Sequence, residues 1–173
     1  LLIFSKIRRF IVKERNKAVP AVWLILIKNE KILLMKRQNT GYRDGDYNLP
    51  AGHIEPGELP KEAMIREAEE ELGIRLSKKD LEFVHVSYRP KHDETGDRVD
   101  FFFLAEEWLG EVRNAEPHKC SEILWIDPQQ LPQNMPAHVK KILNCLSADE
   151  IYTEIYSELD LDFLKNHGLY VVR

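Results

Sequence analysis

Residues 52–74, GHIEPGELPKEAMIREAEEELGI, hold seven acids (Glu55, Glu58, Glu62, Glu67, Glu69, Glu70 and Glu71) against two bases, Lys61 and Arg66. Helical patterning runs from Lys61 to Leu72, and successive side chains on a helix rotate by about 100°. With Glu67 at zero, Glu70 falls near ~300° and Glu71 near ~40°, so the three carboxylates share one face. Met64, Ile65, Ala68 and Leu72 fall between about 60° and 160°, an apolar stripe beside the acids. Such a helix can bury one face and present three carboxylates from the next.

Like charges at i, i+3 and i+4 cost an isolated helix about 0.2–0.5 kcal/mol per pair, so something has to offset them. A hard divalent cation does so, and an all-oxygen donor set suits Mg²⁺ or Mn²⁺, where Zn²⁺ would prefer His or Cys. A solvated acidic face is the plainer account of a Glu run. Two features favour a site: Arg66 and the small Ala63 lie around the acid face, and a glycine loop leads directly into the helix. Gly52 and Gly57 give that loop backbone freedom, and Pro60 suits the first helical position. The N-cap position is Leu59, and a missing Ser or Thr cap costs about 1 kcal/mol.

These residues resemble the Nudix box, the hallmark of the Nudix hydrolase superfamily. Gly52, Glu58, Arg66, Glu67, Glu70, Glu71 and Gly73 fill its fixed positions, and Ala68 and Ile74 its apolar ones. The resemblance implies an α/β/α sandwich with a mixed central sheet. It also implies Mg²⁺- or Mn²⁺-dependent hydrolysis of a nucleoside diphosphate linked to another group. By the same resemblance Glu67, Glu70 and Glu71 bind metal, Glu67 takes the proton of the attacking water, and Arg66 holds that glutamate. Glu58 and the carbonyl of Ala51 complete the metal shell. Many relatives have Gly at position 51, and Ala is a mild change unless the backbone there needs positive φ.

Around the box, the AVWLILI and ILLMKR runs on either side of KNEK, residues 28–31, read as an antiparallel hairpin with Trp23 in the core. Residues 38–48, QNTGYRDGDYN, read as a loop over a site. Strands are expected at Leu81–Tyr88, Val99–Trp108 and Glu122–Ile126, with residues 90–97 joining the first two, and helices at Ala137–Leu146 and Asp149–Leu159. The interspersed elements give an α/β or α+β class. The layout from Ala18 to Leu143 is similar to the MutT-like branch, the nucleoside triphosphate pyrophosphohydrolases. That likeness implies Glu116 as a further metal ligand, Asn134 as a base contact and Arg37 as a phosphate contact. Arg43 and Arg89 are further substrate candidates in rim loops. Trp108, Trp125 or one of Phe101–Phe103 could line a base pocket. Of the histidines, none has Zn-ligand spacing with Cys120 and Cys145.

The organisation expected is a basic arm at 1–17, a catalytic domain at 18–147 and a C-terminal helical extension at 148–173. The chain has 173 residues and a net charge of −4; residues 52–74 contribute −5, which leaves the remainder near neutral at +1. A polyphosphate must therefore be met by a local site rather than by a global field. Ten uncharged apolar residues from Ala18 to Ile27 are too few for a membrane span. Leu1–Phe4 lack a secretory pattern, and two cysteines fit a reducing compartment, so the expectation is cytoplasmic. The leading activity is conversion of a nucleoside triphosphate to monophosphate and pyrophosphate. The alternatives are an ADP-ribose or nucleotide-sugar pyrophosphatase, an RNA 5′-pyrophosphohydrolase using the basic residues 6–17, and a ligand-sensing module without turnover. Monomer and homodimer both remain open.

Overall fold

The computed structural model describes residues 15–93, 96–146, 148 and 150–155, so most of the basic arm and residues 156–173 lie outside the described residues. Eight strands and two helices follow in the order β1 (Ala18–Lys28), β2 (Lys31–Arg37), β3 (Tyr47–Asn48), β4 (Ala51–His53), α1 (Pro60–Leu72), β5 (Glu82–Asp93), β6 (Gly96–Ala105), β7 (Cys120–Ile126), α2 (Ala137–Leu146) and β8 (Tyr152–Glu154).

The hairpin closes through Asn29 and Glu30, both left-handed (φ 50° and 60°), with Ile27 opposite Ile32 and Lys28 opposite Lys31. Left-handed φ at both central residues is what a two-residue turn needs to match strand twist. Beyond this tip the two strands part. β1 lies parallel to β6 over nine paired positions, from Ala18 opposite Asp97 to Leu26 opposite Ala105, and antiparallel to β4. β2 pairs antiparallel with β3 and β7. The main path runs β3-β2-β1-β6-β5-β8, a mixed sheet.

Alternation along the strands divides the core in two, because successive side chains point to opposite faces. Val22, Leu24, Leu26, Leu33, Met35 and Phe103 pack with Met64, Ala68 and Leu72 of α1. Trp23, Ile25, Ile32, Leu34 and Phe102 pack with Val139 and Ile142 of α2. The sheet system is thus the middle layer between two helices, the α/β/α sandwich expected. β1 is buried on both faces, which is why it reads as an unbroken apolar run. Each fully buried Leu or Phe here contributes about 1.5–3 kcal/mol.

Several expectations shift. β5 and β6 run on to Asp93 and from Gly96, so the turn-rich 90–97 segment is largely strand. Residues 47–48, assigned to a loop, form β3. Residues 152–154 are not helical: they pair parallel with β5 as β8, with Val86 opposite Tyr152. Propensity alone misses this strand because its anchor is distant. The buried ring of His85 is bonded through Nδ1 to the Glu150 carbonyl (2.7 Å) and through Nε2 to the Thr153 hydroxyl (2.9 Å). A carbonyl only accepts, so Nδ1 carries the proton. No helix among the described residues is long and apolar enough to cross a membrane.

Candidate active site

Helix α1 begins at Pro60 without a side-chain cap, since Leu59 has no acceptor, and half of a capping box remains: Glu62 Oε2 accepts the Leu59 N–H at 3.2 Å. It ends at Gly73, left-handed at φ 67°, whose N–H bonds the Glu69 carbonyl. The residues that follow β6 then run back along this end. Leu109 exchanges hydrogen bonds with Arg75, Arg113 N–H bonds the Leu72 carbonyl, and Ala115 N–H bonds the Glu71 carbonyl at 3.0 Å. That last bond sets Glu116 beside the acids of α1.

Of the three carboxylates on the acid face, the fold treats two alike and one differently. Ala63, Met64, Ala68 and Leu72 are the buried stripe of α1, as the helical spacing predicts. Glu71, about 40° from Glu67 on the side of that stripe, is drawn under β4 with Glu67, and both line a cavity of about 710 Å³. Glu70, on the far side, has a side chain 53% exposed and is not among the lining residues. The Glu71 carboxylate accepts the Ala51 N–H at 3.0 Å. Burial, then the neighbouring charge of Glu67, pushes its carboxyl up to about 8. Glu67 is also raised, again chiefly by burial, against the lowering effect of Arg66.

Gly52 is required by space rather than by backbone freedom. A Cβ built on it would lie 1.9 Å from Glu67 Cδ and Oε1, so the Glu67 carboxylate occupies the room a side chain would take. Gly57, by contrast, is left-handed at φ 86°. Ala51 lies in strand β4 without positive φ, so Ala replaces Gly there at no steric cost.

Arg66 is the hub. Its Nε and Nη2 grip both oxygens of Glu58 (2.9 and 3.0 Å), Nη1 donates to Glu67 Oε1 (2.6 Å), and Nη2 also reaches the His53 carbonyl (3.0 Å). Its approach to Glu70 Oε2 is longer, at 3.4 Å. The guanidinium holds Glu58 below the usual carboxylate range. One planar fork therefore ties the glycine loop, β4 and the acid face together, which a lysine could not do.

The remaining residues singled out from sequence are distributed as follows. Glu116 lines the cavity, bonded to Lys119 Nζ at 2.7 Å, and its charge contributes to the raised carboxyls of Glu67 and Glu71. Arg37 and Arg43 also line it, and both organise the 38–46 loop. Arg37 Nε donates to the Tyr42 carbonyl (2.9 Å), its Nη2 donates to Thr40 Oγ1 (3.0 Å), and Arg43 pairs with Asp46 (2.8 Å). Arg89 is not in a rim loop: it is buried in β5, 5% exposed, with Nε 2.6 Å from Asp100 Oδ2, and it reaches the cavity wall. Asn134 lies outside the lining, where its Nδ2 donates to the Gly45 carbonyl at 2.7 Å and anchors the loop. Trp108 and Trp125 stack on each other at 6.2 Å in the α1-side core, away from the cavity. Sequence reading missed Trp23, Asp100, His138 and Lys119 as lining residues. Trp23 was legible only as core, and the strand register that sets Asp100 beside it is not a local signal.

Among the described residues no group of three or more His, Cys, Asp or Glu side chains is gathered closely enough to hold an ion as it stands. The chemistry nonetheless fits a hard divalent ion. Two half-buried carboxylates, Glu67 and Glu71, are raised above the ordinary carboxylate range and repel one another, and a third, Glu116, adds to their charge. A cation would relieve that repulsion with oxygen donors alone.

The comparisons with known proteins agree with this geometry. The NUDIX domain model matches residues 17–145. An ADP-ribose pyrophosphatase of Methanocaldococcus jannaschii is 34% identical over 137 residues, 78% of either chain. An 8-oxo-dGTP diphosphatase of Escherichia coli is 29% identical over 121 residues, 68% of this chain and 89% of that one. The crystal structure of a MutT NUDIX hydrolase from Burkholderia pseudomallei matches with a TM-score of 0.66 at 26% identity, covering 75% of this chain and 98% of that one. Hydrolases of this family use divalent metals, and such relatives, with every acid of the box in place, set aside the ligand-sensing alternative. The chain therefore belongs to the Nudix superfamily, as a MutT-like hydrolase acting on nucleotide substrates.

Proposed function

We propose that this hydrolase converts a nucleoside triphosphate to the monophosphate and pyrophosphate. One observation carries the reading: the Glu67–Glu71 pair opens onto a cavity lined by seven basic side chains (Lys36, Arg37, Arg43, Arg66, Arg89, Arg98, Lys119) against five acidic ones. That balance suits a highly charged chain of phosphates, even though the protein as a whole is acidic. Glu67, Glu70, Glu71 and Glu116, with the Ala51 carbonyl and the Glu58 carboxylate that Arg66 grips, are the groups that would hold Mg²⁺ or Mn²⁺. When bound, such ions neutralise phosphoryl oxygens and lower the pKa of water.

Arg66 donates to Glu67 Oε1, and in this reading Oε2 would take the proton of the attacking water. The new bond joins that water oxygen to phosphorus, and the α–β bridging P–O bond breaks. Arg37, Arg43 and Arg89 would orient the phosphates.

A second reading is ADP-ribose hydrolysis, favoured by the relative from Methanocaldococcus jannaschii, which shares 34% identity. The RNA alternative rests on residues 6–17, largely outside the described residues. A Mg²⁺-dependent screen with product identification separates the readings. Release of pyrophosphate from nucleoside triphosphates supports the first, and AMP with ribose 5-phosphate from ADP-ribose as the sole products would replace it with the second.

A further inference from the structure

Two segments far apart in sequence meet on the cavity wall: the 38–46 loop and the 114–120 turn, which carries Glu116. The β2–β7 ladder reaches Arg37 opposite Cys120, with a register shift between Lys36 and Arg37. The Gln38 N–H then donates to the Lys119 carbonyl at 2.8 Å. From there side chains take over from the backbone. Gln38 Nε2 donates to the Pro117 carbonyl at 2.6 Å, and Asn39 Nδ2 donates to the His118 carbonyl at 3.3 Å. Successive carbonyls of the turn, at Pro117, His118 and Lys119, are thus all held by two residues of the loop. Asn39 is left-handed at φ 54°, a conformation that Asn adopts more readily than most residues.

Each segment is also knit within itself. In the turn, the Lys119 and Cys120 N–H groups both donate to the Glu116 carbonyl at 2.9 Å, and Asn114 Nδ2 donates to the Cys120 carbonyl at 2.7 Å. In the loop, the Asp44 carboxylate accepts the Thr40 and Gly41 N–H groups, both at 3.0 Å, and Arg37 holds Thr40 and the Tyr42 carbonyl. Pro117, His118 and Lys119 are exposed, so water would satisfy their carbonyls as well. The two side-chain bonds therefore rescue no desolvated group, and each adds only about 1 kcal/mol. Their consequence is geometric. Glu116 lies outside any helix or strand, and the turn is tied at its ends by the Ala115 bond to the Glu71 carbonyl and by the entry of Cys120 into β7. Gln38 and Asn39 fix the stretch between. A carboxylate already held in place loses less freedom when a ligand arrives, which is what preorganisation contributes to binding.

We propose that Gln38 and Asn39 are positioning residues for the cation site: they clasp the Glu116 turn to the 38–46 loop and so hold Glu116 ready beside Glu67 and Glu71. The inference rests on Glu116's serving the cation, as read above, and it gives two uncharged loop residues a part in metal affinity although neither could reach the ion itself.

The test is a Mn²⁺ titration of the full chain, wild type and variants, read by electron paramagnetic resonance of the free ion without nucleotide. Gln38→Met with Asn39→Gly removes both side-chain donors and keeps the backbone bond and a residue at ease with positive φ. That pair weakens Mn²⁺ binding about five-fold or more, the worth of one hydrogen bond. Glu116→Gln weakens it at least as much. Adding the pair to Glu116→Gln brings no more than about a two-fold further loss, because a group acting through Glu116 has nothing left to position. If the paired variant does not fold, Gln38→Met alone carries the same cycle. Unchanged affinity in the folded clasp variant beside a loss in Glu116→Gln overturns the proposal alone, as do losses that simply add. Unchanged affinity in Glu116→Gln overturns the cation role of Glu116 and the proposal with it. Binding of Mn²⁺ needs no turnover, so a failed hydrolysis screen with the cycle intact counts against the triphosphate reading alone.

Discussion

Gly52 shows how closely a residue type can be tied to chemistry. Its missing side chain is the space in which the Glu67 carboxylate sits, 1.9 Å from where a Cβ would be. Gly52→Ala is expected to displace that carboxylate while leaving β4 and α1 in place, because only the end of one flexible side chain must move. A displacement of about 1 Å in a reacting group costs on the order of 10²-fold in rate. Steady-state kinetics beside a thermal melt check this: kcat falls by about that factor with little change in Tm. Unchanged kcat would mean that the observed seat of Glu67 is not the working one. The spacing of the box made Glu67, Glu71, Arg66 and Gly52 legible in the sequence. It put Glu71 nearer the apolar stripe than Glu70, but helical angle alone does not say how far β4 reaches over the acid face, so the exposure of Glu70 was not legible. Arg89 and Asp100 were hidden for a related reason: their pairing depends on the register of β5 against β6.

Helix α1 shows how an element tolerates a local defect. Leu59 occupies the N-cap and is 57% exposed, so it neither caps the helix nor packs deeply. Leu59→Ser should add an acceptor for a first-turn N–H and raise stability by about 1 kcal/mol, with kcat unchanged. Denaturant unfolding measures this, and a variant no more stable than wild type would show that Glu62 and the Leu59 carbonyl already satisfy the helix start. Helix limits were legible almost to the residue, since Pro60 and Gly73 bracket a clear apolar period. The 152–154 segment was not, because three residues held by His85 and the β5 edge carry no periodicity of their own.

At the scale of the whole molecule the acid surplus becomes a property of folding. The Glu71 carboxyl is raised to about 8 from an ordinary 4.5, so between those values the folded protein binds more protons than the unfolded chain. Metal-free stability should then decline as pH rises through that window, since the slope follows the excess of protons bound in the unfolded state, here negative. In chelator, Tm is expected to fall from pH 6 to pH 9, and Glu71→Gln should flatten the decline. Mg²⁺ should raise Tm more at pH 9 than at pH 6, because cation and proton compete for the same carboxylates. A Mg²⁺ effect independent of pH would exclude Glu71 from the cation site.

The central claim is that Glu67 takes the proton from the attacking water at a cation site built on α1. The most direct measurement is kcat of Glu67→Gln against wild type, on the best substrate of the screen in saturating Mg²⁺, with the fold checked by thermal melt. The site described here predicts a fall of 10²-fold or more with Tm preserved; a folded Glu67→Gln protein with wild-type kcat would contradict it.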